Sequence, residues 1–424
     1  MKDLRSAVRG RVWLPGDPGF DQARRPWNRA VEQPAAAVVE VADAADAAAL
    51  VRHARSAGLS IAAQANGHGA TGRTDGVILL RTTRLDDLRI DPEERRAHIG
   101  AGVASGRVQE AAAPHGLSGL PGSSPVVSVT GVALGGGLSW FGRRHGWVAD
   151  NVTGFDIVDA EGWQRHVTDG DLFWALRGGG GDFAVVTAVE LALHPVPGLY
   201  GGRVVWPGAH TPAVLDAFRR VTATAPDELT VWLDLVHFPG AEPMVAIDAT
   251  YLGDEGEARD LLAPFDRLPR PLADGRRKMA VSELGSITAD PTEPSASLSR
   301  TELLTRLDDE VAEALLAEPI EPLLGVQLRH LGGAFARPSD SPHGPLTEPY
   351  ALYFLGLPGP GVPERMRAFA ESLPVSGRKP LTFLGPAETT ADAFGPAALD
   401  RLRAIKRHHD PHGVFRGNFP VASS

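Results

Sequence analysis

The chain has 424 residues, 43% of them apolar and 22% charged. That is ordinary globular composition with room for two or three domains, and it excludes wholesale disorder. A formal charge of −10 without a basic block argues against nucleic-acid binding, and the lack of cysteine excludes disulfides, thiolate catalysis, zinc ribbons and iron–sulfur clusters.

The 48 Gly and 35 Pro follow no repeat, so they point to turns and to backbone that approaches a ligand. The N-terminal stretch MKDLRSAVRGRVWLPGDPGF lacks the apolar core of a signal peptide, and no run approaches ~18 uninterrupted apolar residues. A soluble cytoplasmic protein is expected, with no membrane, nucleic-acid or metal partner.

In chain order, 37–41 (AVVEV) predicts a strand and ADAADAAALVRHARSAG a helix. Asp43 or Asp46 suits its first turn, Leu50 and Val51 its apolar face, and Gly58 its stop. Strands follow at 59–63 and 77–80, with the loop NGHGATGR between them. In a dinucleotide fold the glycine loop follows the first strand, so this order disfavours a NAD-binding Rossmann unit. Further strands are expected at 97–103, 152–159 and 183–193, with a helix over 105–115. Pro195 and Pro197 mark a boundary. Beyond it, strands near 204 and at 230–238, 244–252, 325–331 and 351–357 alternate with helical stretches such as 211–222 and 302–317. This is an α+β pattern with an antiparallel sheet. A helix at about 396–409 precedes the ending DPHGVFRGNF. His408, His409 and His412 sit near Asp410, but Pro411 breaks the helix there, so they read as structural rather than as metal ligands.

Four motifs, QANGHGATG at 64–72, SSPVVSVTGVALGGGLSWFGRRHG at 123–146, DLFWALRGGGGDFAVVT at 171–187 and KRHHDPHGVFRGNF at 406–419, resemble those of one family in order and spacing. LGGAFARPSD and PHG at 331–344 match more loosely. The chain resembles flavoprotein oxidases of the vanillyl-alcohol-oxidase/PCMH superfamily, and within it the berberine-bridge-enzyme-like oxidases. The resemblance implies an α+β fold with a two-part PCMH-type FAD-binding domain at 1–198, an inserted antiparallel-sheet substrate domain at 199–385, and a return to the FAD domain at 386–424.

Glycine lets backbone N–H groups converge on a pyrophosphate without a Cβ in the way. By resemblance the cofactor contacts are Asn66, Gly67, His68, Gly69, Ala70 and Gly72 in the first loop. From the second loop come Gly122, Ser123, Ser128, Val129, Gly131, Gly135, Gly136, Gly137, Trp140, His145 and Gly146, and elsewhere Val186 and Asn418. Gly178–Gly181 is a further candidate run beside the flavin ring. His68 is expected to bond covalently to the flavin; the alternative is a loop histidine that only hydrogen-bonds phosphate. Gln64 and Asn66 replace a more usual Arg and Gly. The family's second attachment uses a Cys, and here that position is Ser124, so one bond is the maximum. Val127 stands where the family's oxygen-reactive members carry valine. Trp206, Trp232 and Phe238 either stack on a substrate or pack in the core.

The implied reaction is hydride transfer from a small-molecule alcohol, amine or secondary metabolite to flavin, with O2 reduced to H2O2. A dehydrogenase using another acceptor and a non-catalytic flavin- or ligand-binding protein are the alternatives. The second has a motive: the family's basic Tyr before the chain re-enters the FAD domain is missing from LTFLGPAETT, where Phe383 takes no proton. His330 and Tyr353 are the leading replacements as catalytic base, because a His titrates near neutrality and a Tyr can with help. Tyr350 and Tyr353 must lie on opposite faces of one strand. Asp234 and Glu388 are further options.

Overall fold

The structure, a computed structural model, describes residues 3–422. Strand Ala37–Glu40, helix Ala44–Ala57 and strand Ile61–Gln64 form the β-α-β unit that the local signals predict. Asp43 accepts a hydrogen bond from Asp46 N at 2.9 Å and caps the helix, and Gly58 ends it at φ 65°. Such a cap contributes about 1 kcal/mol. Leu50, Val51 and Ala54 are fully buried in the core beneath it. The sheet runs in the order Arg11–Trp13, Ala37–Glu40, Ile78–Arg81, Ile61–Gln64, with the last three strands parallel. The tail of the chain joins its edge. Ile61 N donates to Val414 O at 2.7 Å and Arg416 N to Ile61 O at 2.8 Å.

A second, antiparallel sheet follows, ordered Leu88–Asp91, Arg96–Gly100, Val185–Ala192, Val152–Val158, Gln164–Val167. A third, eight-stranded antiparallel sheet is built from residues 200–356. Its main order is Ala273–Asp274, Tyr200–Pro207, Met244–Tyr251, Leu229–Val236, Gly325–His330, Tyr350–Gly356, Leu298–Leu304. Helices Thr211–Thr224, Glu255–Asp266, Asp309–Leu316 and Val362–Glu371 cover one face. There Phe218, Phe265, Leu315 and Phe369 pack against Val231, Ile247, Leu328 and Leu352.

The expected helix over 302–317 is corrected: residues 302–304 finish a strand, and the helix is Asp309–Leu316, capped by Asp308. Seven residues from 298 to 304 pair with Tyr350–Gly356, and this tertiary pairing overrides local helical preference.

The other face of the third sheet meets the glycine-rich segments. Trp140 and Trp232 stack across this junction with ring centroids 3.6 Å apart. Arg143, buried, donates from Nε to Leu229 O at 2.8 Å and from Nη2 to Ala225 O at 3.0 Å, while its Nη1 lies 3.0 Å from His330 Nε2. His343 is a buried imidazole at this junction. It stacks on Trp147 at 4.8 Å and fills the space beside Gly136, where a Cβ would stand 2.6 Å from its Nε2.

His330 and His343 are 7% and 5% exposed, and burial pushes them down to about 2 and about 4. Both folded values lie below the unfolded value near 6.5. As pH falls through 6.5 the unfolded chain therefore binds protons that the folded chain refuses. Their stabilisation is complete above 6.5 and is lost on the way down, at about 1.4 kcal/mol per pH unit for each imidazole. Urea melts between pH 7.5 and 5 should show this slope, and His343→Asn should flatten it by about one proton. An unchanged slope would refute the assignment of His343.

Candidate active site

The first glycine loop leaves strand Ile61–Gln64 and is tied at both ends. Asn66 Nδ2 donates to Val126 O at 2.7 Å, which joins this loop to the 122–128 loop. Asn418, from the tail, donates from Nδ2 to Gly69 O at 2.5 Å and accepts from Thr71 N at 3.1 Å. Gly67 sits at φ +79°, with Pro26 Cβ 2.8 Å from where its own Cβ would be, so only glycine fits. Gln64 accepts from buried Arg81, which also donates to Ala23 O and Arg25 O. This pairing accounts for Gln64 where the family motif has Arg.

The imidazole of His68 stacks on Trp27 at 3.9 Å, and its Nδ1 is buried without a partner. Burial lowers the imidazole to about 4, opposed by Asp290, so the ring is neutral and its lone pair free at pH 7. Ser124 Oγ and Thr130 Oγ1 are also buried and unpartnered. Open space faces Gly69 and Gly131, where an added Cβ would meet nothing within 4 Å. Unpaired polar atoms beside glycine backbone suit a large polar cofactor with a basic ring neighbour, and FAD fits.

Other expected contacts are already engaged inside the protein. Ser128 Oγ donates to Ala101 O at 2.9 Å, Val129 N to Val103 O at 3.2 Å, and Val186 is buried in the second sheet. Gly137 packs on Val132 and Val148, and Gly135 N bonds back to Gly131 O and Val132 O. Gly178 and Gly136 both border His343 rather than open space. Trp140 is fully buried under Trp232. His145 stacks on His194 at 3.8 Å, next to Gly146 at φ +81°. Gly122 and Ser123 are half-buried in the loop that Asn66 holds. Among the described residues no group of three His, Cys, Asp or Glu is arranged to bind a metal.

The third sheet divides the two base candidates. His330 pairs with Tyr350 on the helix-covered face, where Tyr350 Oη lies 2.8 Å from Thr222 Oγ1. There His330 accepts from Arg143 and resists protonation down to about 2. The expectation that it is the base is withdrawn: the other face meets the glycine loops, and its free nitrogen, Nδ1, is buried. Glu388 is likewise spent, on Lys379 and on Gly385 N.

Tyr353 faces the junction. The register places Asp234, Gln327 and Tyr353 in one row across three strands, and Arg203, Asp248, Trp232 and Arg329 in the next. The Arg329 guanidinium lies 4.3 Å from the Trp232 ring centroid, 5.0 Å from Tyr353 and 5.5 Å from Phe383. Of the aromatics considered as substrate platforms, Trp232 is in this cluster, Trp206 is in the helix-side core, and Phe238 is half exposed. Sequence reading missed Trp27, Arg329, Arg203 and Asp248. The available signal was a single charge amid an apolar strand, as in GGRVVW and AIDAT, but only register brings these together.

Comparison with known proteins gives this geometry its context. A family model described as an FAD binding domain matches residues 35–168. The (R)-6-hydroxynicotine oxidase of Paenarthrobacter nicotinovorans is 29% identical over 456 aligned positions, covering 98% of this chain and 97% of that protein. The crystal structure of 6-hydroxy-D-nicotine oxidase from Arthrobacter nicotinovorans superposes with a TM-score of 0.86 at 27% identity, covering 98% of each chain. A berberine-bridge-enzyme-like protein of Physcomitrella patens shares the fold at TM-score 0.88 and 18% identity, over 100% of this chain and 99% of that one. Residues 35–168 thus carry an FAD-binding segment, the chain is similar along almost its whole length to hydroxynicotine oxidases, and it is an FAD-dependent oxidoreductase.

Proposed function

We propose that this enzyme is an oxidase that removes a hydride from a carbon beside nitrogen or oxygen of a small molecule and uses O2 as the final acceptor. Residues 1–198 and 386–424 would bind FAD, and 199–385 would form the substrate side. The observation that carries the reading is His68: a neutral imidazole with a buried, unpartnered Nδ1 on a glycine loop fixed by Asn66 and Asn418. The oxidase names of the hydroxynicotine relatives support the acceptor assignment. Bound FAD supplies the two-electron acceptor. The chain's own residues bind it, exclude water and handle the substrate proton.

His68 is the single attachment point in this reading, since Ser124 offers no thiolate. Acid precipitation of the wild-type protein should leave a yellow pellet, and His68→Ala should bind FAD but release it to the supernatant. A colourless wild-type pellet would overturn covalent attachment.

Val127 is the residue at the oxygen approach, on the loop that Asn66 holds through its neighbour Val126. Val127→Ile should slow reoxidation by O2 in stopped flow and leave flavin reduction nearly unchanged. Equal reoxidation rates would remove Val127 from this role.

Tyr353 is the proton-handling group. Burial pushes its phenol up, and the Arg329 guanidinium beside the ring opposes that shift. Tyr353→Phe should reduce single-turnover flavin reduction by ~10²-fold and erase one ionisation from its pH profile. A wild-type rate and profile would show that the substrate proton leaves without this side chain.

A further inference from the structure

Residues 23–29 are held from three sides. From below, buried Arg81 donates from Nε and Nη2 to Ala23 O at 3.1 and 2.9 Å and from Nη2 to Arg25 O at 2.8 Å. In the middle, Trp27 N donates to Asn66 O at 2.7 Å, and Pro26 Cβ stands 2.8 Å from where a Cβ of Gly67 would be. At the end, Asn28 Nδ2 donates to Ser297 O at 3.0 Å and its Oδ1 accepts from Ser297 N at 3.2 Å, while Arg29 N donates to Ser295 O at 2.9 Å.

This grip places one ring. The Trp27 indole lies on the His68 imidazole with centroids 3.9 Å apart and planes 22° apart. Its Nε1 is buried without a partner, so no hydrogen bond of the indole itself accounts for the position. Asn66 serves both residues, since its Oδ1 also accepts from His68 N at 3.4 Å. An imidazole on a glycine-rich loop otherwise turns between staggered side-chain wells. Covered on one face, it presents its unpartnered Nδ1 in a narrow range of directions. A nucleophile aligned in advance reacts faster, because its orientation is already set.

Resting on the reading of His68 as the attachment point, we propose that Trp27 is a positioning residue for that attachment, holding the imidazole in the orientation from which Nδ1 attacks FAD. Attachment forms a bond from Nδ1 to the 8α-methyl carbon of the flavin. One methyl proton and the imidazole N–H proton leave, two electrons stay on the flavin, and O2 takes them to give H2O2. Burial, to which the indole face contributes, also lowers the imidazole to about 4, and Asp290 opposes that shift. The cations on the elements around the loop are engaged elsewhere or lie on the clamp. Arg81 is spent on Gln64 and the two carbonyls, Arg73 donates to Pro386 O and Glu388 O, and Arg29 follows Asn28 in the held segment.

The test is the rate of covalent incorporation when FAD is added to the full chain, produced without flavin in a riboflavin-auxotrophic host. It is read as flavin fluorescence that stays with the acid-denatured protein. Trp27→Ala should slow incorporation at pH 8 by about 10- to 100-fold, and Trp27→Phe, which restores a flat ring, should recover it to within about threefold of wild type. Relative to wild type, Trp27→Ala should lose a further factor of up to about 10 between pH 8 and 5.5, because the uncovered imidazole titrates nearer 6.5. In a His68→Ala background, where no bond forms, Trp27→Ala should leave FAD affinity within about threefold. Trp27→Leu keeps apolar volume without a flat face. It should slow incorporation as well, and it serves if Trp27→Ala does not fold. Wild-type rates and pH dependence in the variants, no recovery with Phe, or FAD affinity that falls as far as the rate would overturn the role of Trp27. A wild type that never retains flavin after denaturation would instead sink the attachment reading, and the role of Trp27 with it.

Discussion

Lys406 is the interaction on which the site depends. Its ammonium is buried and donates to Asp182 O at 2.6 Å, Phe415 O at 2.7 Å and Asp410 Oδ2 at 2.8 Å. The two carboxylates use their remaining acceptors on the tail: Asp410 takes Val414 N and Phe415 N, and Asp182 takes Gly417 N and Val421 N. Residues 414–421 thereby lie against the glycine run that ends at Gly181. Asn418, held within that segment, grips Gly69 and Thr71 and fixes the loop that carries His68. One cation thus couples the end of the chain to a loop near its start. Removing one member of such a buried set leaves an uncompensated charge, at a cost of about 3–5 kcal/mol.

The two sides of the third sheet show why the same strands serve both stability and chemistry. On the helix side, Val231, Ile247, Leu328 and Leu352 bury apolar area, which stabilises by about 25 cal/mol per Å2. On the inner side, the neighbouring residues Trp232, Asp248, Arg329 and Tyr353 are polar or aromatic. The Trp140–Trp232 stack anchors that side to the second glycine segment, so the polar cluster is held by the same contact that joins the sheet to the rest of the molecule.

Local signals in the sequence were enough for the elements with caps and stops. Helix Ala44–Ala57 has Asp43 and Gly58 at its ends, and helix Pro396–His409 has Gly395 before it and Pro411 after. The glycine loops were legible as motifs. The strand Leu298–Leu304 was not, because LSRTELL mixes polar and apolar residues and is a strand only through its partner. The faces of strands were half legible. Alternation separates Tyr350 from Tyr353, but which face the helices cover is decided by chain segments far away. His330 was chosen for its chemistry, and the packing gave it to Arg143. Trp27 was invisible for the same reason, since nothing near residue 27 announces a stack on residue 68.

The Arg203, Asp234 and Asp248 group also resists a structural explanation. A buried ion pair is at best a modest gain over well-packed apolar residues of similar volume, because desolvation consumes the Coulombic attraction. Here two carboxylates share the hydrogen bonds of one guanidinium, and burial and Asp248 raise the Asp234 carboxyl to about 7 against the pull of Arg203 and Arg329. The opposite face of the same three strands carries Val204, Leu233 and Ile247 in their place, so the sheet itself has no need of charge there. Their location on the inner face, in rows with Trp232, Arg329 and Tyr353, places that cost at the junction with the glycine segments and not in the helix-covered core.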